Sequence, residues 1–593
     1  MTLDSFLLFA DVASLSSFSL EGIDYAAMAV YLILLTVVGY WSGRGEHANA
    51  DDYFLAGNKL PWYVVGGSFI ASNISSEQFI GMIGTAAIFG TCVSMMEWAN
   101  AATFSLLIWI FIPFLLASKV FTIPEFLERR FSPALRQIFA LVTIISNVVA
   151  FLAAVLYGGG LALEQLFGWN LWVAVAVLGI VAGMWAIYGG LSSVAWTDLF
   201  SLAVMLCGGI VVTICGFMEL AGDDGSIIDG FNTLIERNQA AKGPWAEAVN
   251  SNVQNLGGAD TYNRMSVFQP ATHPIVPAVS LLTTTLSISI WYNVLNQFMI
   301  QRVLGAKDSY HARMGIVMAG GIKLFLPLIT VVPGLILFAL HPELLMIEPW
   351  SAVKPAADRA YVLMLQTLVP AGLRGLFLAA LFGAIQSTVN SVLNSTATVF
   401  TLDIYRRMLR PQATQAQLVR VGVISSVVIL AIAIGLGGLV GKIGGSLFEY
   451  IQSLYAFFAP PFAAVFLLGI VWRRINAIGA LTAVVLGFAF GSGMKFYVSL
   501  VPDHYGWLDP YWNQASLNWL FCVAVCIGIS LVTAPPRPEQ VTDQLTLNWS
   551  KLNIFSNLGG HWYSSVVTWW LVTVIATAAL MAIFSGLVFP TGS

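Results

Sequence analysis

Residues 66–78 read Gly-Gly-Ser-Phe-Ile-Ala-Ser-Asn-Ile-Ser-Ser-Glu-Gln inside an otherwise apolar run. Small and polar residues in such a run predict a break in a membrane helix. A helix broken at membrane depth exposes backbone carbonyls that lipid cannot satisfy, so a cavity, an ion or another helix must take them. A second stretch reads Gly383-Ala384-Ile385-Gln386-Ser387-Thr388, followed by Asn390, Ser391, Asn394, Ser395 and Thr396. It predicts a second interruption, in a long element over 373–402, with two adjacent hydroxyls deep in the membrane. Carbonyls plus two hydroxyls suit sodium, which prefers oxygen ligands and leaves a weakly charged site readily. Helix packing through small polar residues is the competing reading.

The surrounding composition fits. Of 593 residues, 58% are hydrophobic and 9% are charged, where a soluble domain carries roughly 25% charged residues. So few charges cannot cover a soluble surface of this size, and a mean hydropathy of +0.81 points to lipid as the solvent. A soluble enzyme, a disordered scaffold and a disulfide-stapled secreted domain are excluded. A net charge of -4 gives no basic excess for a nucleic-acid partner. The five cysteines form no CxxC pair and read as small packing residues. The first 20 residues hold Asp4 and Asp11 and no Lys or Arg, which argues against a cleaved signal peptide.

Hydropathy predicts an all-α polytopic membrane protein with fourteen spans, near 22–41, 61–84, 92–116, 137–157, 167–188, 196–217, 275–300, 314–340, 373–402, 417–436, 446–472, 477–497, 513–533 and 564–586. Basic residues cluster in alternate loops: Arg44 and Lys59; Lys119, Arg129, Arg130 and Arg136; Arg302, Lys307 and Arg313; Arg406, Arg407 and Arg410; Arg473 and Arg474. Such loops face the cytoplasm, which puts both termini outside it. The long outer loop 218–274 forms a short capping helix or a solvated loop, and 534–563 reads as a cytoplasmic linker.

Charge within a span is expensive and marks a site candidate. Glu77, Glu97, Asp198, Lys323 and Glu449 fall there. Lys323, among apolar residues, either snorkels to the interface or has an internal partner. Asp198 either caps its helix or lines a cation exit. Gln78, Glu97, Asn100, Lys323 and Gln452 lie on different spans; brought together they would make a cavity rich in donors and acceptors, suited to a polyhydroxylated solute. Tyr157, Tyr292 and Phe448 are candidate aromatic faces for a sugar ring, or ordinary packing.

Three groups of residues carry a family resemblance: Asp52-Tyr53-Phe54-Leu55-Ala56-Gly57 with Ala71 through Gly81; Ile187-Tyr188 and Gly190 with Trp196-Thr197-Asp198; and Gln301-Arg302 with Asn394-Ser395-Thr396-Ala397-Thr398. From about residue 20 to 500 the chain resembles the sodium:solute symporter family, in particular its bacterial sodium/galactose branch, a relative of the animal sodium/glucose cotransporters. The resemblance implies a five-plus-five inverted-repeat symporter core. It divides the chain into an extra helix and loop (1–60), a first repeat (61–217), an outer loop (218–274), a second repeat (275–472), and peripheral helices with a linker (473–593). Carried over by position, sodium is held by the carbonyls of Ala71, Ile74 and Ala384 and the hydroxyls of Ser387 and Thr388, with Asp198 on its way out. Gln78, Glu97, Lys323 and Gln452 match solute ligands, Tyr292 an aromatic closing the inner side, and Met82 and Phe448 outer-gate residues. Ser289, Phe151, Asn100 and Met96 depart from the pattern, and Thr388 replaces a Ser.

The function expected is sodium-coupled symport of a sugar, such as glucose or galactose, by a monomer in a bacterial inner membrane. The rivals are another solute (myo-inositol, sialic acid, a carboxylate or an amino acid), or an uncoupled channel or sensor. No HExxH, nucleophile elbow or P-loop supports an enzyme.

Overall fold

Only a helix or a closed barrel satisfies its own backbone in hydrocarbon, and this chain folds as helices. The computed structural model describes residues 20–44, 49–440, 447–501, 506–548, 550–551 and 554–590. The stretch with Asp4 and Asp11 lies outside them. The described residues hold two isolated β-bridges, Leu60 with Ala306 and Gln269 with Pro277. Among them, eleven helices are long and apolar enough to cross a membrane, or twelve if the bent pair Ser309–Phe325 and Pro327–Leu340 is one span.

The helices that build the site are α1 (Gly22–Ser42), α2 (Trp62–Ala71), α3 (Ile83–Phe89), α4 (Leu171–Ala221), α5 (Gln297–Leu304), α6 (Ser309–Phe325), α7 (Leu373–Val399) and α8 (Leu447–Val471). At 1.5 Å per residue, α4 would run about 76 Å, more than twice a hydrocarbon core. Gly190 interrupts it with a left-handed φ of 55°. A Cβ there would sit 2.2 Å from the Tyr53 carbonyl, so only glycine allows the approach. The Tyr53 hydroxyl in turn donates to the carbonyls of Ala186 and Ile187 at 3.3 Å. The first two motif groups thus meet, a turn at Tyr53 seated on a helix break. The run Glu77–Ser118 is interrupted likewise at Gly90, φ 81°.

The break predicted over 66–78 is present: α2 ends at Ala71 and the chain resumes as a π-helical turn, Glu77–Met82, before α3. The second predicted interruption is not. α7 is continuous over 27 residues and runs on as π-helix to Leu409. Its polar side chains reach across to neighbours instead of unwinding it: Asn390 Oδ1 accepts from Ala186 N at 3.2 Å, and Asn147 Nδ2 donates to Thr396 Oγ1 at 2.9 Å. The second break lies in the element before α5, where π-helical turns Thr285–Ser289 and Trp291–Leu295 end at Asn296, extended at ψ 121°. The breaks at 72–76 and 296 therefore fall in the first helix of each expected repeat.

Buried arginines tie the ends together. Arg130 donates to the carbonyls of Gly469, Trp472 and Ile475, and Arg313 to those of Ile554 and Ser556. Each meets helix-end or linker carbonyls that have no intrahelical partner. The loop 218–274 contains two helices, Ile227–Asn238 and Pro244–Asn250, so it caps as well as connects. From it, buried Arg264 reaches the carbonyls of Ala87 and Ile88 at the end of α3 and stacks on Phe338.

Candidate functional site

The solute residues nominated from the sequence, Tyr157 excepted, face one cavity beside the breaks. Gln78, Glu97, Asn100, Ser289, Tyr292, Lys323 and Gln452 line it, and so do Met82 and Phe448. The space between atoms in and around it, open mouth included, is about 690 Å3. The break supplies Gln78 and Met82, α6 supplies Lys323, and α8 supplies Phe448 and Gln452.

Lys323 does not snorkel. It is buried, pairs with Glu97, and donates to Asn73 Oδ1 at 2.5 Å. Asn73 Nδ2 passes the chain on to Tyr292 Oη at 2.8 Å. One polar string thus runs from Glu97 through Lys323 and Asn73 to the phenol at the cavity wall. Gln78 Oε1 accepts from Ser75 N at 2.8 Å and Ser75 Oγ at 3.0 Å, which fixes its side chain to the break.

Asn73, Glu77, Asn293 and Tyr455 also line the cavity and were not nominated as ligands. Glu77 is held by Gln452 Nε2 at 2.8 Å; its charge in a span had marked it. Asn293 donates to Asn100 Oδ1 at 2.8 Å, so the departure at Asn100 comes with a partner. Phe151, another departure, lies outside the lining and stacks on Tyr455 at 4.7 Å, with Tyr292 6.1 Å away. The lost amide is absorbed in an aromatic cluster behind Tyr292. Tyr157 is not among the lining residues, and Glu449 pairs with Lys354.

The sodium candidates meet where α7 crosses the break. Thr388 Oγ1 donates to the carbonyls of Ile74 at 3.2 Å and Ser72 at 3.3 Å. Ala71 O accepts from Ile74 N at 3.2 Å. Ala384 lies one turn before Thr388, so its carbonyl keeps a lone pair beyond the intrahelical bond. Ser387 Oγ is buried beside the Asp198 carboxylate, its side-chain partner, and neither it nor Asp198 Oδ1 makes a further hydrogen bond among the described residues. Buried oxygens with spare lone pairs can take an ion or a water. The donor set, hydroxyls and carbonyls around one crossing, fits sodium.

Asp198 caps no helix: it lies past the Gly190 break, inside the second half of α4 and fully buried. Its Oδ2 accepts from Ser68 at 2.6 Å, Ser72 at 3.1 Å, Ser391 at 3.2 Å and Arg302 at 3.4 Å. Arg302 Nε also donates to Ser68 Oγ at 2.6 Å. The pair joins α2, α4, α5 and α7 just beyond the sodium candidates.

Among the described residues no group of three His, Cys, Asp or Glu could hold a metal. The family model described as sodium:solute symporter family matches residues 53–487. The chain is 34% identical to the sodium/glucose cotransporter of Vibrio parahaemolyticus over 551 residues, covering 90% of this chain and 96% of that one. It is 31% identical to the human sodium/myo-inositol cotransporter, covering 90% and 76%. A solved sodium-coupled sialic acid symporter, 21% identical, superposes with a TM-score of 0.70 over 87% of this chain and 98% of that one. At that identity the likeness is one of fold.

Proposed function

Because this chain belongs to the sodium:solute symporter family, we propose that it imports a hexose, such as glucose or galactose, by sodium-coupled alternating access. It is a multi-pass membrane transporter, not an enzyme, and couples sodium to a small polar solute. The observation that carries the sugar reading is the convergence of Gln78, Glu97, Asn100, Ser289, Tyr292, Lys323 and Gln452 on one cavity. The lining offers both donors and acceptors, as sugar hydroxyls require.

The break couples the two ligands. Sodium at the Ala71 and Ile74 carbonyls and the Ser387 and Thr388 hydroxyls fixes the chain at residue 74. Gln78 is tied to Ser75, one residue on. Sodium thus pre-orders a solute ligand, and by linkage solute favours sodium to the same extent. Met82 and Phe448 close the outer side and Tyr292 the inner. After inward opening sodium leaves past Asp198 and solute follows once Tyr292 swings away. Each charge crossing gains about 2.3 kcal/mol per 100 mV.

Dividing the interrupted runs at Gly90 and Gly190 supports fourteen spans, with residues 61–217 and 275–472 as the two repeats. With the basic loops inside, both termini are extracytoplasmic, in a bacterial plasma membrane, and the monomer holds the whole pathway. A second reading, myo-inositol, is favoured by the 31% relative; its ring of hydroxyls uses the same groups. Radiolabelled uptake over a panel of hexoses, inositols, sialic acid and amino acids, under sodium, lithium and proton gradients, tests the proposal. Sodium-dependent uptake of a hexose supports it, and uptake confined to acids or amino acids overturns it.

A further inference from the structure

The resemblance sets the first span, α1, outside both repeats, yet two of its side chains reach into the helix that carries Ser387 and Thr388. We propose that Asp24 and Tyr31 of α1 are positioning residues of the sodium site, fixing α7 along its axis and about it. The proposal rests on the reading of Ser387 and Thr388 as sodium ligands.

Asp24 is fully buried, and its Oδ1 accepts from Gly372 N at 2.8 Å and Gly375 N at 2.7 Å. These are orphan donors at the start of α7, where a negative charge also meets the positive end of the helix dipole. The fit is close: a Cβ on Gly375 would lie 2.4 Å from the Asp24 carbonyl oxygen. Two turns along α1, Tyr31 Oη lies 3.0 Å from Ser201 Oγ, and Ser201 donates to Gln386 Oε1 at 3.0 Å. Ser201 has one proton and gives it to Gln386, so the phenol is the donor to Ser201. Gly383 leaves room for the phenol; a Cβ there would be 2.9 Å from its oxygen. Gln386 immediately precedes Ser387. Ser201 stands one turn from Asp198, on the same helix face. The string Tyr31–Ser201–Gln386 thus sets the rotation of α7 that aims Ser387 and Thr388 at the break, while Asp24 sets its height.

The test is sodium activation of solute uptake in proteoliposomes of the full chain, comparing wild type with Tyr31→Phe, Asp24→Asn, Asp24→Ala and Thr388→Ala. Tyr31→Phe keeps the ring, stacked on Phe200 at 5.6 Å, and loses one oxygen. It should raise the sodium KM roughly two- to tenfold, the worth of one buried hydrogen bond. The solute KM at saturating sodium and the maximal rate per folded protein should hold. Asp24→Asn, which keeps an acceptor, should raise the sodium KM less than Asp24→Ala; if Asp24→Ala does not fold, Tyr31→Phe decides alone. An unchanged sodium KM in Tyr31→Phe, with or without a lower maximal rate, overturns the proposal provided Thr388→Ala raises it. An unchanged sodium KM in Thr388→Ala overturns the sodium-site reading itself.

Discussion

Ser387→Ala separates ligation from folding, because the two effects differ in size. Ser387 Oγ is buried, and its side-chain partner among the described residues is the Asp198 carboxylate. Deleting it removes that one contact, while Asp198 keeps its bonds to Ser68, Ser72 and Arg302. Stability without sodium should therefore fall only slightly. If the oxygen is a sodium ligand, its loss resembles that of a hydrogen bond to a charge, about 1.5–3 kcal/mol. At 1.4 kcal/mol per decade the sodium KM should rise about 10- to 150-fold. Thr388 is less clean, since its hydroxyl also bonds the Ile74 and Ser72 carbonyls. The assay is sodium-activated uptake in proteoliposomes, with the apparent Tm of purified protein read in choline. An unchanged sodium KM would refute the reasoning, as would loss of folded protein in choline, which would make Ser387 a packing residue.

Gly190→Ala should abolish folded yield, read by monodispersity in detergent, since its Cβ would lie 2.2 Å from the Tyr53 carbonyl; normal yield would refute the docking of that turn. Lys323→Met alone should cost about 3–5 kcal/mol by stranding the buried Glu97 carboxylate. Adding Glu97→Gln should restore the apparent Tm without restoring uptake; recovered uptake would remove both from the solute site. In the loop 218–274, burial holds His273 down from its usual 6.5 to about 3, with Nδ1 accepting from Val276 N at 2.9 Å. Its folded pKa lies below its unfolded one, so its stabilising contribution is complete above pH 6.5 and is lost as pH falls toward 3. By pH 5 the loss is about 2 kcal/mol. The apparent Tm of His273→Gln should fall less over that interval; equal slopes would refute it.

Much of the site is legible in the sequence because charge in hydrocarbon is costly. Glu97, Lys323 and Asp198 stand out in apolar runs for that reason, and all three prove buried and paired. The first break is legible because Gly, Ser and Asn interrupt its run. The second is not: Trp291-Tyr292-Asn293-Val294-Leu295 looks like ordinary span, and the backbone turns out at Asn296. Asn296, an amide in that run, was the available signal; its side chain is buried with no hydrogen-bond partner among the described residues. The small polar residues of α7 misled for the converse reason. A hydroxyl or amide in a span can be satisfied across a helix interface as well as by a break, and composition does not say which. Arg264 was hidden because its partners are carbonyls, which no side-chain pattern reveals.

The central claim is that sodium moving downhill drives the solute uphill. The direct measurement is time-resolved uptake of labelled glucose and galactose into proteoliposomes under an inward sodium gradient. The account predicts a transient accumulation above the external concentration that disappears when sodium is equal on both sides or replaced by choline. Uptake that only reaches equilibrium, or accumulation indifferent to sodium, would contradict it.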